Sequence, residues 1–385
     1  MSERVEPGPA RRTTAARRFE RAAKRGVSTL LAAIVRPRVL NAAGLARLPV
    51  RRLLVVRPHN QLGDMVCALP ALHALRRAWP DAHLSFVASP LSEALLTDHP
   101  DVDELLVFRK QDVCRPWRLA AFLWRLRFPR PDLAVVMTTV SFSTTSALLA
   151  WVSGARCRAG ASSLPFGSQL SRAIYHLELP PGPEGVHEVE HNVAPLGGLG
   201  IAATVERPRL VPAADALQRV RMRLAQDVPG TGPLIVAHVG AGKRPNVWPG
   251  DRFAATLQAL EREFGARIVL VEGPRDAAAV DAVARGVPDA VRWNAPLADT
   301  LALFSQASLV VSNDTGMAHV AAAVDAPLVV IFGPTDVQRW KPRGDHVRAV
   351  QSTTGSIVDV ETAVVLHAAR SMLGAGAAQT LQGPA

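Results

Sequence analysis

Ser308-Leu-Val-Val-Ser-Asn-Asp-Thr-Gly-Met-Ala-His-Val-Ala-Ala-Ala-Val324 passes from an apolar run, through Asn313, Asp314, Thr315 and Gly316, into a segment of small residues. A short β-branched run bounded by turn residues reads as a strand buried on both faces, here Ser308–Ser312. The segment from Thr315 reads as a helix. A strand that turns through a glycine into a helix is the repeating step of a parallel sheet wrapped by helices. That step recurs along the chain. Arg52-Leu-Leu-Val-Val-Arg57 precedes a helical pattern over residues 64–78, and strands follow at His83–Ala88, Glu104–Phe108 and Asp132–Met137, with helices near 117–127 and 143–153. A second cycle starts at Pro233–Val239 and continues through a helix at 251–264, a strand at 267–271 and helices near 276–285 and 297–306. The strand Pro327–Phe332 closes it. Residues 178–232 are richer in Pro and Gly, interrupt the rhythm and hold the inter-domain link. The expected fold is α/β: two Rossmann-like halves facing a cleft, with ligands gathered at the carboxyl ends of the strands.

The formal charge of +11 suggests nucleic acid until its position is considered. Residues 1–52 hold 13 of the 44 Lys/Arg and 3 of the 33 acids, so 31 bases and 30 acids remain for the other 333 residues. The excess belongs to an N-terminal arm rather than to a groove in the body, and no nucleic-acid partner is expected. Within the arm, Ser28–Val35 is far shorter than the ~20 residues needed to span a bilayer. Arg36 and Arg38 follow it directly, which disfavours a secretory signal. Residues 11–38 fit an anionic membrane surface, or equally a solvated extension. The three cysteines, Cys67, Cys114 and Cys157, have no metal-ligand or CxxC spacing and read as reduced thiols of a cytoplasmic protein, with the arm offering a peripheral place on the inner membrane face.

Two motifs point to chemistry. In Asp314-Thr-Gly316 a helix N-terminus with a glycine lets backbone N–H groups approach a diphosphate, with the Thr315 hydroxyl beside it and His319 one turn along. Read alone, Asp314 or Thr315 equally serves as a helix cap. In Arg57-Pro-His-Asn-Gln-Leu-Gly-Asp64 a strand turns through Gly63 into a helix, leaving Asp64 at the cleft edge, where a carboxylate suits a general base. In isolation this too reads as a cap.

Together, residues 62–89 (LGDMVCALPALHALRRAWPDAHLSFVAS), 238–249 (HVGAGKRPNVWP) and 311–336 (VSNDTGMAHVAAAVDAPLVVIFGPTD) closely resemble glycosyltransferase family 9, the ADP-heptose:lipopolysaccharide heptosyltransferases. The likeness covers roughly residues 50–350 and implies a GT-B-like fold and an inverting, metal-independent transfer needing no cofactor. It implies a nucleotide-sugar donor in the C-terminal half and a lipopolysaccharide or lipid-linked glycan acceptor on the N-terminal half. By that resemblance Asp64 is the base, and Asp314, Thr315, Gly316 and His319 hold the donor. The stretch Gly240–Pro249 looks like the family's other donor loop, and Pro334 and Thr335 line the cleft. Members commonly carry Lys or Arg two residues before the Trp-Pro pair. Here Asn246 stands there, and Lys243 or Arg244 takes over the phosphates. His187-Glu-Val-Glu-His-Asn192 is also family-like, as a site or as a turn.

The domains then read as a basic arm (1–48), an acceptor domain (49–205), a donor domain (206–350), a C-terminal helix (351–373) and a disordered tail (374–385). Asp101-Val-Asp103 imitates a metal-binding DxD but precedes a strand, so it reads as a solvated turn. A nucleotide-sugar epimerase on the same scaffold is one alternative, disfavoured by the LGD turn. A non-enzymatic membrane-associated binding protein is another, disfavoured by the retention of both motifs. An oxidoreductase is not expected, since GAGKRP lacks the third glycine of GxGxxG and places Pro245 where a helix would begin.

Overall fold

The computed structural model describes residues 40, 42–59, 61–137, 142–166 and 168–380. The stretch 11–38, read above as a membrane-surface segment, lies outside the described residues. The end of the arm does not stand apart from the body. Ala42–Ala46 is helical, Leu45 is buried, and the Leu40 N–H donates to the His176 carbonyl.

Twelve strands are found among the described residues: β1 (Arg52–Val56), β2 (His83–Ala88), β3 (Glu104–Val107), β4 (Leu133–Val136), β5 (Cys157–Ala161), β6 (Leu177–Leu179), β7 (Leu234–His238), β8 (Arg267–Val271), β9 (Val291–Trp293), β10 (Leu309–Asn313), β11 (Leu328–Phe332) and β12 (Val347–Gln351). They form two six-stranded sheets, ordered β3-β2-β1-β4-β5-β6 and β12-β11-β10-β7-β8-β9. Every pairing is parallel, with Val55 opposite Phe86 and Val135 in the first sheet and Ser312 opposite His238 and Val330 in the second. Counted from its own first strand, each sheet has the doubly wound order 3-2-1-4-5-6. Its crevice therefore opens where first and fourth strands meet: after β1 and β4 in one half, after β7 and β10 in the other.

The apolar pattern explains the layering. β7, β10 and β11 are buried at every residue, as strands covered on both faces must be. Along β1, Leu53 and Val55 face a core shared with Met65–Leu75, whereas Leu54 and Val56 face a second core containing Leu126, Ala147 and Ile174. The first core is continuous across the halves. Helix α1 (Leu62–Ala78) packs directly against helix α2 (Gly316–Ala323), so Leu69 and Leu72 belong to the same apolar body as Val320 and Ala321.

Several expectations change. β5, β6, β9 and β12 were not read from sequence: they are short or carry Arg, Glu and Gly, and become strands only because a neighbouring strand supplies the hydrogen bonds. The Pro/Gly-rich stretch contains the helix Ala214–Asp227, whose Ala216, Val220 and Leu224 form an i, i+4, i+8 stripe against helix Leu297–Ser305. The final helix, Thr362–Thr380, continues past residue 373, where a disordered tail was expected. The Asp101–Asp103 turn is not solvated as a unit. Asp101 is buried and accepts from His73 Nδ1 at 3.0 Å, while Asp103 accepts the Leu84 N–H at 2.7 Å and pairs with Arg76.

Candidate active site

The two motifs meet at one point. Asp64 is the third residue of α1, and Gly316 is the first residue of α2. A Cβ on Gly316 would lie 2.8 Å from both the Gly63 nitrogen and Leu62 Cβ, and one on Gly63 would lie 3.1 Å from His319 Cδ2. The two helix N-termini therefore touch glycine to glycine, and a side chain there would force the halves apart.

Neither aspartate is a cap. The residue before α1 is Gln61, which makes no side-chain capping bond, and the one before α2 is Thr315, whose hydroxyl makes none either. Thr315 Oγ1 instead lies 3.4 Å from His238 Nδ1, at the end of β7, and His238 Nε2 lies 3.6 Å from Asp276 Oδ2. Asp276 also accepts the Gly273 N–H, and the contact with His238 holds its carboxyl below the usual range.

Asp64 is half-buried. Desolvation pushes its carboxyl up, opposed by the charges of Arg57, Arg339 and Lys243 and reinforced by Glu188. Arg57 was not singled out by its sequence position, since a lone cation after an apolar strand does not show what it will face. Buried at the crevice, it donates from Nη1 to the Met137 carbonyl at 2.8 Å and from Nη2 to the Asp64 carbonyl at 3.0 Å. It thereby ties the ends of β1 and β4 to α1.

Asp314 is raised by burial as well, against a hydrogen bond with Thr335 and the charge of Lys243. Asn246, at the position where family members carry a base, is buried and turned inward. Its Nδ2 donates to Asp314 Oδ2 at 2.9 Å and to Thr335 Oγ1 at 3.2 Å. Lys243 is exposed, and its charge favours the ionised form of both Asp64 and Asp314. Arg244 and Pro334 are exposed on turns. The loop is held by Asn313, whose Nδ2 donates to the Val239 carbonyl at 2.8 Å and whose Oδ1 accepts the Trp248 N–H at 3.1 Å.

His319 is not presented to an open cleft. It is 5 % exposed, with Nδ1 3.6 Å from Cys67 Sγ and its ring edge-on to Trp340. Burial lowers it to about 4, so it is neutral at pH 7. Around it runs a seam between the halves. His187 Nε2 donates to the Lys341 carbonyl at 2.7 Å while its Nδ1 accepts the Val189 N–H, so His187 is a helix cap as well as a bridge. Fully buried Glu188 accepts both Nε and Nη2 of Arg339, at 3.1 and 2.9 Å, and Glu190 pairs with Arg343.

The family model for glycosyltransferase family 9 (heptosyltransferase) matches residues 121–367. The chain belongs to glycosyltransferase family 9. The match covers the Asp314–His319 and Gly240–Pro249 segments and begins after Asp64. Among relatives of this family 9 chain are lipopolysaccharide heptosyltransferase 3 of Escherichia coli, 25% identical over 292 residues (74% of this chain, 84% of the relative), and lipopolysaccharide heptosyltransferase 2 of E. coli K12, 25% identical over 325 residues (79% and 89%). Two solved structures share its fold. One is E. coli ADP-heptose lipopolysaccharide heptosyltransferase II, with a TM-score of 0.71 at 21% identity (84% of this chain, 99% of that one). The other is an E. coli heptosyltransferase with ADP, with a TM-score of 0.68 at 20% identity (83% and 99%). The fold of this family 9 glycosyltransferase is thus GT-B, with α1 and α2 packed against each other between the two sheets.

Proposed function

We propose that this glycosyltransferase moves a heptose from ADP-heptose to an acceptor of the lipopolysaccharide core, with inversion at the anomeric carbon. The observation that carries the reading is the glycine-to-glycine contact of α1 and α2, which brings Asp64 and the Asp314-Thr-Gly316 turn to one point. Residues 49–205 present the acceptor and residues 206–350 hold the donor. Asp64 takes the proton of the acceptor hydroxyl as that oxygen bonds to the anomeric carbon. The bond from that carbon to the diphosphate oxygen breaks, and ADP leaves with the electron pair. Desolvation makes Asp64 a better base than an exposed aspartate, since its proton affinity is closer to the working pH. The N–H groups at the start of α2, the Thr315 hydroxyl and Lys243 meet the leaving-group charge without a metal. Asn246 and Thr335 fix Asp314 for the sugar, and neutral His319 keeps the turn in place by packing against Gly63. The reaction takes place on the cytoplasmic side, where nucleotide sugars are found.

The test is calorimetry with ADP, UDP, GDP and ADP-heptose, alongside transfer assays. Selective ADP binding, with Asp64→Ala still binding donor but unable to transfer sugar, is expected. Absence of nucleotide binding would overturn the reading.

A further inference from the structure

The near-neutral body hides one strongly charged surface. Between Arg109 and Arg130 the chain carries seven basic residues and one acid, and most of this segment is the helix Pro116–Arg127. Leu126 is that helix's one buried residue; Leu119, Phe122 and Leu123, half-buried, share its inner side. On the outer side, Trp117, Ala121, Trp124 and, just beyond the helix, Phe128 follow a spacing of four, three and four residues, which sets them on one stripe. Trp117 is 69% exposed and Trp124 66%, with the Phe128 ring 4.6 Å from that of Trp124.

Basic side chains border the stripe. At 100° per residue Arg118 and Arg125 lie on one side of it and Arg127 on the other. Arg118 and Arg125 have carboxylate partners, Asp112 and Glu104. Arg127 and Arg130 are exposed and donate to the neutral carbonyls of Val152 and Gly154, which do not cancel their charge. The helix covers the face of the first sheet opposite α1. Its approach leaves the carboxyl edge of the first sheet, where the Phe108 N–H donates to the Ala88 carbonyl and the Ser89 hydroxyl donates to the carbonyl of His59, between β1 and α1.

We propose that this face docks on an anionic lipid bilayer, with Trp117, Trp124 and Phe128 at headgroup depth and the flanking arginines on lipid phosphates. Exposed tryptophans on a basic helix have the composition of an interfacial helix lying in the membrane plane. A second copy of the chain does not suit the face, since a two-fold contact would set its basic residues against their own counterparts. A bilayer supplies the complementary charge and the apolar depth together. Docking here is separate from any contribution of the N-terminal arm, and it brings the crevice end of the acceptor half to the lipid surface.

The experiment is sedimentation of the full-length chain with vesicles of phosphatidylcholine alone or mixed equally with phosphatidylglycerol, at about 0.1 M salt. It is run for wild type, Trp117→Ser/Trp124→Ser and Arg118→Glu/Arg127→Glu. These side chains are exposed, so unchanged melting curves confirm folding. Wild type is expected to bind the anionic vesicles with a blue-shifted tryptophan emission, and each double variant to partition about tenfold less. Equal binding of wild type and variants would assign attachment to the arm and overturn the proposal. So would no binding by wild type, or a wild-type dimer that the tryptophan variant converts to monomer. No substrate is present, so failure here leaves the proposed reaction standing.

Discussion

At Asp64 two effects oppose each other, and their balance is measurable. Burial raises its carboxyl above the ordinary 3.8, so the acid limb of kcat/KM should lie above that value, with activity lost as pH falls through it. A limb at or below the ordinary value would count against Asp64 as base. His319, held near 4, adds no limb between about pH 5 and 8, where an unperturbed imidazole would. The same raised carboxyl costs stability. The folded state binds this proton more tightly than the unfolded chain, so the contribution is present below the unfolded value and lost as pH rises through the folded one. Asp64→Asn should therefore raise Tm at pH 7 while lowering kcat by about 10²- to 10⁴-fold. Thermal melts and single-turnover rates on one preparation read both. Arg57, Asp276 and His238 were illegible at this scale. A lone charge beside a strand says nothing of what it faces until the sheet places Met137 and the α1 carbonyl within reach of Arg57.

The contact of α1 with α2 depends on two residues without side chains. Gly316→Ala puts a methyl 2.8 Å from the Gly63 nitrogen, which belongs to backbone and yields poorly. A loss of about 1–3 kcal/mol in denaturant unfolding is expected, together with weaker ADP binding. Gly63→Ala meets His319 Cδ2 at 3.1 Å, a ring that shifts more easily, and should cost less. In the donor loop, Asn246→Ala removes a donor from Asp314 and Thr335 at once. The expected penalty is about 1–3 kcal/mol, with a raised KM for donor and little change at saturating donor. An unchanged KM would mean that Asp314 is oriented without Asn246. Both strand-turn-helix steps were legible because the apolar runs are long and the glycines sit in the turns. β5 and β6 were not, because Cys-Arg-Ala-Gly-Ala and Leu-Glu-Leu have no strand character apart from the neighbours that complete their hydrogen bonds.

Across the whole molecule the halves are joined by a common apolar core and by the seam of Glu188 with Arg339 and His187 with the Lys341 carbonyl. Arg339→Ala leaves Glu188 fully buried without that cation. A loss of about 2 kcal/mol is expected by urea denaturation, below the ~3–5 of a fully buried pair because the guanidinium is 37% exposed. Glu188→Gln, which removes the buried charge as well, should cost less, and the reverse order would mean that the pair does not govern the seam. The sequence by itself determined the α/β class, the doubled strand-helix cycle and the two glycine turns, because strand and helix periodicity and turn chemistry are properties of neighbouring residues. Only the tertiary structure decided that Asp64 and Asp314 are not caps, that Asn246 points inward, that His319 is walled in, and that the helix Pro116–Arg127 leaves its tryptophans exposed. Each of these depends on burial, and the inward turn of Asn246 also on partners 68 and 89 residues away, which only packing brings together.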